Sequence, residues 1–348
     1  MVAITDVAAL AGVSTATVSR YLSGQQVRAA ERIRSAIAEL DYSPSRTARA
    51  LKSGVTYTVA IVVPDITNPF FASVVKGIES MSRQGPYHIS LYNTDEDPGR
   101  ERQVIGTVVS QVDGIILAPA NEQDQTPDLV RRAGIPLVFL DRTLSQGDGF
   151  DSVLVDNEGG GAAAARHLLG LGHQRIAIIA GPLDTTPGRQ RFAGFTAEAE
   201  RRGVTLPDEY RRISDFREAG GYRETLALLA LAKPPTAVFV SNNEMTIGAL
   251  KALNDMSVSV PAEISIIGFD DLALAALLSP PLTVIRRDAA EQGALAMRLL
   301  LKRLSGVRER PTSITLDTEL VVRGSCAPPR DSTATPSHEG ALRKKGRS

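Results

Sequence analysis

The chain has 348 residues, 43% apolar and 22% charged, with 39 Lys/Arg balanced by 39 Asp/Glu. That is the composition of a globular protein of two or three domains rather than one. No apolar run is long enough to span a bilayer, no basic stretch opens a secretory signal, and one cysteine, Cys326, excludes an internal disulfide framework and fits a reducing cytoplasm. Four scattered histidines (His88, His167, His173, His338) give no metal-ligand spacing, so neither a metal nor a cofactor is expected. The charge is uneven. Residues 1–53 carry seven Lys/Arg against four Asp/Glu, and the rest 32 against 35. A basic head on a slightly acidic body suits a polyanionic partner, although three excess charges are common on any surface.

The head opens with Thr5 as a helix N-cap, followed by Asp6 in the first turn and by Val7, Leu10 and Ala11 on one face. Gly12 can take the positive φ that ends this helix, and Ser14 can cap a second. In the second helix Val18, Tyr21 and Leu22 share a face, leaving Thr15, Ala16, Thr17 and Arg20 outward. Ile33, Ile37 and Leu40 give a third helix for the same core. Two short helices joined by a tight glycine turn make a helix-turn-helix. The outer face of the second helix suits a major groove: small residues sink in, hydroxyls and the helix N-terminus hold phosphates, and arginine reads guanine. An ordinary three-helix cap with a polar face fits the same pattern.

The string "ITDVAALAGVSTATVSRYLSG" resembles the DNA-binding head of the LacI/GalR repressors, whose signature D-V-A-x-x-A-G-V-S-x-x-T-V-S-R it carries. The resemblance implies base reading by Thr15, Ala16 and Arg20, phosphate binding by Ser14, Thr17 and Ser19, and a DNA contact from Thr5. The loop "GQQVRAAERI" is shorter than the family's and lacks its hydroxyls, which leaves Gln25, Gln26 or Arg28 to replace them. Next comes "ELDYSPSRTARALKSG", where Pro44 interrupts the chain and Ser45 to Leu51 can form two helical turns, too few to be stable alone. By itself this reads as a linker. By resemblance it is the hinge helix that folds over the operator's minor groove, with Leu51 as the wedge between base pairs, Ala48 allowing close approach of two hinges, and Ser45 and Arg46 on the backbone.

From residue 58 apolar runs recur: "TVAIVVP", "HISLYNT", "VDGIILAPA", "PLVFLD", "SVLVDN", "RIAIIAG", "AVFVSN" and "ISIIGFD". Helical segments at 70–84, 100–111, 158–171, 189–202, 218–232 and 244–255 separate them. Buried strands alternating with helices predict parallel α/β sheets, and some 270 residues of this pattern predict two lobes. Ligands of such sheets sit at the C-terminal strand ends. Polar residues collect there: Asp65, Asn68, Asn93, Asp95, Asp141–Arg142, Asp156–Asn157, Asn242–Asn243 and Asp270–Asp271. Singly, each could be a turn or helix cap; together they point to a polar cleft. "DNEGGGAAAARHL" does not fit G-x-G-x-x-G and reads as a flexible helix start. No P-loop or nucleophile elbow is present, so no catalysis is expected.

The body also resembles the LacI/GalR family, through "DITNPFFASVVKGIE", "RQRFAGF", "VFVSNNEMTIGALKAL", "VPAEISIIGFDDL" and "SPPLTVI". The implied fold is a small all-α helix-turn-helix head plus an α/β two-lobed, periplasmic-binding-protein-like (type I) effector domain. The implied boundaries are 1–43 for the head, 44–54 for the hinge, 55–326 for the effector and dimerisation domain, and 327–348 for a disordered tail. Effector positions carry over to Phe70, Phe71, Asp141, Arg142, Arg191, Phe216, Asn242 and Asp270. Asn243 stands where the family usually has aspartate. The expected molecule is a cytoplasmic homodimeric repressor of carbohydrate-utilisation genes. It binds a palindromic double-stranded DNA operator, is released by a sugar-like effector and does not contact a membrane. A sugar-uptake protein would not need residues 1–53 and would need a signal peptide; an α/β enzyme with an N-terminal cap would show turnover.

Overall fold

The structure is a computed structural model that describes residues 2–43, 54–123, 126–144, 149–271 and 275–330. The hinge positions Ser45, Arg46, Ala48 and Leu51 and the tail from residue 331 lie outside the described residues. The head is three helices, α1 (Ile4–Ala11), α2 (Thr15–Leu22) and α3 (Ala30–Glu39), closed on Val7, Ala8, Ala11, Val18, Ile33 and Ala36. Gly12 ends α1 at φ 61°, its N–H donating to the carbonyls of Ala8 and Ala9. Two expectations for α1 need correction. Its N-cap is Ala3, not Thr5, because the Asp6 carboxylate reaches back to accept from the Ala3 N–H at 2.8 Å. Ala8 takes the core place expected for Leu10, which is 47% exposed.

The body holds two six-stranded sheets with one plan. In the first the order is β2 (His88–Asn93), β1 (Thr58–Val63), β3 (Gly114–Leu117), β4 (Leu137–Leu140), β5 (Asp151–Val155) and β11 (Ser313–Leu316). In the second it is β7 (Arg211–Ile213), β6 (Ile176–Ala180), β8 (Ala237–Val240), β9 (Ser265–Phe269), β10 (Thr283–Arg286) and β12 (Glu319–Val321). Each is a doubly wound 2-1-3-4-5 order with a sixth strand added from the C-terminal segment. That strand runs parallel in the first lobe and antiparallel in the second. Central strands are buried over their whole length, which is why they read as unbroken apolar runs. β7, β11 and β12 are three or four residues long and half-exposed at sheet edges, so they carry no such run. The chain passes between lobes at 155–157, 286–289 and 316–319.

The helices flanking the sheets are α4 (Pro69–Ser82), α5 (Pro98–Val108), α6 (Thr126–Ala133), α7 (Asn157–Gly170), α8 (Thr186–Arg201), α9 (Glu218–Leu229), α10 (Asn243–Asp255) and α11 (Ala289–Leu304). Three pairs of them pack backbone to backbone through glycine. A Cβ on Gly161 of α7 would lie 2.3 Å from the Arg191 carbonyl oxygen of α8, and one on Gly194 of α8 would lie 2.1 Å from that of Glu158. Gly221 and Gly248 join α9 to α10 in the same way, and Gly77 and Gly293 join α4 to α11. In the run "GGG" Gly161 is therefore a tight helix contact and Gly160 lies against the Phe269, Ile285 and Thr318 side chains, so the run is close-packed and not a flexible start. After β12 the chain stays packed beyond residue 326: the Ala327 N–H donates to Ser265 Oγ (3.1 Å), and its carbonyl meets His173 Nε2 (2.9 Å). No helix of the described residues is long and apolar enough to cross a membrane.

Candidate nucleic-acid interface and ligand cleft

The first candidate surface is the N-terminal end of α2. Ser14 Oγ accepts from the Thr17 N–H at 3.2 Å and shares a hydrogen bond with Thr17 Oγ1 at 2.9 Å. This cap fixes both hydroxyls beside the positive end of the helix dipole. Val18 is fully buried, which turns Thr15, Ala16 and Arg20 outward, with Thr17 and Ser19 half-buried at the edge. Thr5 is exposed on the first turn of α1. The second helix thus presents small side chains, hydroxyls and one guanidinium on a single face.

The second candidate lies where the C-terminal strand ends of the two sheets face each other. A cleft of about 510 Å³, counted out to its open mouth, is lined by all eight positions carried over to the effector: Phe70, Phe71, Asp141, Arg142, Arg191, Phe216, Asn242 and Asp270. Asp141 follows β4 and Asp270 follows β9, so the carboxylates enter from opposite lobes. Asp141, Phe216 and Asp270 sit at φ 64°, 63° and 72°, a left-handed backbone that is uncommon for side-chain-bearing residues and costly for phenylalanine. Phe216 is held there by the Asn242 amide, which donates to its carbonyl at 2.9 Å, and its ring lies where a Cβ on Gly181 would be. Asn242 Oδ1 meanwhile caps α10.

Among the described residues five charged groups in this cleft are almost fully buried: Asp141, Arg142, Arg191, Asp270 and Arg287. Arg142 forms a bidentate pair with Glu96 (2.7 Å at both nitrogens), and this outweighs burial to raise its pKa. Arg191 stacks on Phe269 (3.5 Å to the ring centre), with Nε on Asn157 Oδ1 (2.8 Å) and Nη1 on the Ser241 carbonyl (2.6 Å). Its Nη2 is buried without a hydrogen-bond partner among the described residues. Burial, and then the like charge of Arg287, push the Arg191 guanidinium down to about 9. Burial opposes ionisation of Asp141, but Arg287, Arg191 and Arg142 outweigh it and hold its pKa below the usual carboxylate range.

Arg287 is the residue the sequence reading missed. It follows β10, lies over the Phe70 ring at 3.5 Å, donates from Nε to Asp270 Oδ1 at 2.6 Å and pairs through Nη1 with Asp141. The strand it follows, β10, is not among the apolar runs read from the sequence, and its partners lie 17 and 146 residues away. The other strand-end residues divide. Asp65, Asn68 and Asn243 line the cleft. Asn93 braces the Ile66 N–H, Asp156 caps α7, Asn157 orients Arg191 and Asp271 pairs with Arg323.

The lobes also grip each other directly. Asn68 and Asn243 exchange amide hydrogen bonds (3.1 and 2.7 Å), an arrangement that needs an amide donor at position 243. Glu122 of the first lobe docks on the N-terminus of α8 through Thr186, and Arg189 donates to it at 3.0 Å.

Residues 3–45 match the bacterial regulatory proteins of the lacI family, and residues 165–326 match the periplasmic binding protein-like domain. The ribose operon repressor of Escherichia coli (strain K12) is 35% identical over 330 residues, covering 93% of this chain and 100% of that protein. The chain belongs to the LacI family. It is a DNA-binding transcriptional regulator with a helix-turn-helix head and a two-lobed α/β body. The HTH-type transcriptional repressor PurR of Actinobacillus pleuropneumoniae serotype 3 (strain JL03) is 32% identical over 331 residues (93% of this chain, 98% of that protein). The Lac repressor dimer bound to operator and the anti-inducer ONPF superposes with TM-score 0.83 at 28% identity, covering 94% of this chain and 99% of that one. A LacI family transcriptional regulator from Enterococcus faecium with bound ribose superposes with TM-score 0.71 at 30% identity, covering 78% and 99%. These relatives are named as regulators and repressors.

Proposed function

We propose that this LacI-family regulator is a cytoplasmic homodimeric repressor of carbohydrate-utilisation genes, released from a palindromic operator by a pentose such as ribose. The observation that carries the effector reading is the Arg191 Nη2 donor, buried without a partner among the described residues in a cleft that also offers Asp141, Asp270 and the rings of Phe70, Phe71 and Phe216. An orphaned buried donor is costly, and a ligand hydroxyl relieves that cost. Aromatic faces suit the C–H faces of a sugar ring, and paired carboxylate and guanidinium suit its hydroxyls. The relatives named for ribose point to the same class.

The DNA reading assigns bases to Thr15, Ala16 and Arg20, and phosphates to Ser14, Thr17, Ser19 and Thr5. The hinge residues Ser45, Arg46, Ala48 and Leu51 reach the minor groove, with Leu51 kinking the operator's centre. Domain limits of 1–43, 44–54 and from 55 onward follow from this division. A ligand touching both lobes shifts operator affinity only by its preference for one lobe arrangement.

The test is a thermal-shift screen of pentoses and hexoses, followed by fluorescence anisotropy on operator DNA. Ribose should raise the melting temperature and weaken operator binding. Asp270→Ala should still bind operator and lose that response. An unchanged ribose dissociation constant in Asp270→Ala would remove Asp270 from the site.

A further inference from the structure

Arg287 lies on a passage between the lobes, and its side chain is 4% exposed. It spans a carboxylate from each lobe: Asp270 through Nε (2.6 Å) and Nη2 (3.2 Å), and Asp141 through Nη1. The buried charges around the cavity can be counted. Arg142 is neutralised by Glu96. Among the described residues that leaves two carboxylates, Asp141 and Asp270, against two guanidinium groups, Arg191 and Arg287, and their sum is zero. Of the remaining charged lining groups among the described residues, Asp215 and Arg217 are exposed and of opposite sign, and Asp65 is half-buried with its carboxylate accepting from Thr67, so water screens all three. A cation entering the closed cleft would find both carboxylates already held by Arg287, and an anion reaching Arg191 Nη2 would also meet the charges of Asp141 and Asp270, so either would shed its hydration without full compensation. A hydroxyl would meet the unpartnered Arg191 Nη2 at no such cost.

We propose that Arg287 is a specificity-determining residue: by bridging Asp141 and Asp270 it makes the closed cleft electroneutral and restricts the effector to an uncharged polyol. This rests on the reading of the cleft as the effector site. Glutamine at 287 would leave two carboxylates sharing Arg191 and a net negative site, which favours a cation. Lysine would keep the charge while losing the fork that spans both carboxylates.

The experiment is isothermal titration of the full-length wild type, Arg287→Gln and Arg287→Lys with three near-isosteric probes. These are ribose, its uronate with a carboxylate in place of the C5 hydroxymethyl, and 1,4-dideoxy-1,4-imino-D-ribitol, a cation at neutral pH. Thermal melts establish that each variant is folded. Wild type should bind ribose at least about tenfold more tightly than either ion. Arg287→Gln should shift the ratio of iminoribitol to ribose affinity by tenfold or more toward the cation, and Arg287→Lys should keep the wild-type ranking even where all affinities fall. Equal wild-type affinity for ribose and either ion overturns the inference alone. So does a uniform loss across the three probes in Arg287→Gln, which would make Arg287 a strut. Wild type binding none of the three overturns the effector reading and this inference with it.

Discussion

Gly161→Ala sets two effects of known size against each other. Inside a helix, replacing glycine by alanine gains about 1 kcal/mol of propensity. Here the new methyl would start 2.3 Å from the Arg191 carbonyl oxygen and 3.0 Å from the Phe195 backbone nitrogen, both on α8. Backbone atoms cannot swing aside, so α7 and α8 must separate by about 1 Å to restore ordinary contact. Overpacking of this kind costs about 1–3 kcal/mol. Interdigitated glycines on both helices place this site at the upper end, for a net loss of about 1–2 kcal/mol. The displaced atom belongs to Arg191, so ribose affinity should fall together with stability, by roughly tenfold for about 1.4 kcal/mol. Gly106→Ala is the control: Gly106 is exposed within α5, nothing would lie within 4 Å of its Cβ, and the variant should gain about 0.5–1 kcal/mol. Urea denaturation of the three proteins, followed by circular dichroism and paired with ribose titration, measures both quantities. A Gly161→Ala protein as stable as wild type, beside a stabilised Gly106→Ala, would refute the close-packing argument and restore the reading of a flexible helix start.

Three further outcomes are expected. Ribose affinity should be flat from pH 6.5 to 8 and fall above about 9; the ligand stabilises charged Arg191, raising its pKa from about 9 on binding, so binding takes up a proton above that pH, and titration showing no fall by pH 10 would count against the lowered pKa of Arg191. Arg20→Ala should lose about 1–3 kcal/mol on the cognate operator and relax one base pair, while an equal loss on random DNA would make Arg20 a phosphate contact. Asn243→Asp should lower ribose affinity about fivefold, the equivalent of one hydrogen bond of about 1 kcal/mol, because the Asn68 amide can turn to meet a carboxylate only by giving up the Phe70 N–H; unchanged affinity would show that the amide exchange does not support closure.

The head and the central strands were legible because their signals are local. Val18, Tyr21 and Leu22 repeat at helical spacing, Gly12 stops a helix, and β1, β6 and β9 are buried on both faces. The cleft was legible in part. Strand ends could be located, but Asp and Asn at a strand end serve equally well as caps, braces or lining. Asp141 and Asp156 differ in function only through what lies opposite them. Arg287 was hidden because the short strand β10 before it was not read as a strand and because its meaning comes from a carboxylate in the other lobe. The glycine run misled because an absent side chain leaves no trace of the backbone that occupies its place.

The late strands β11 and β12 have a consequence during synthesis. The head closes its core with residues from the first forty. The first sheet lacks its edge until Ser313–Leu316 is made, and the second until Glu319–Val321. At roughly 5–20 residues per second, some 280 further residues take about 15–60 s. For that interval every nascent chain carries a DNA-reading module whose sensor is unfinished. A chain cut short within the body would carry the head without a finished cleft to govern it.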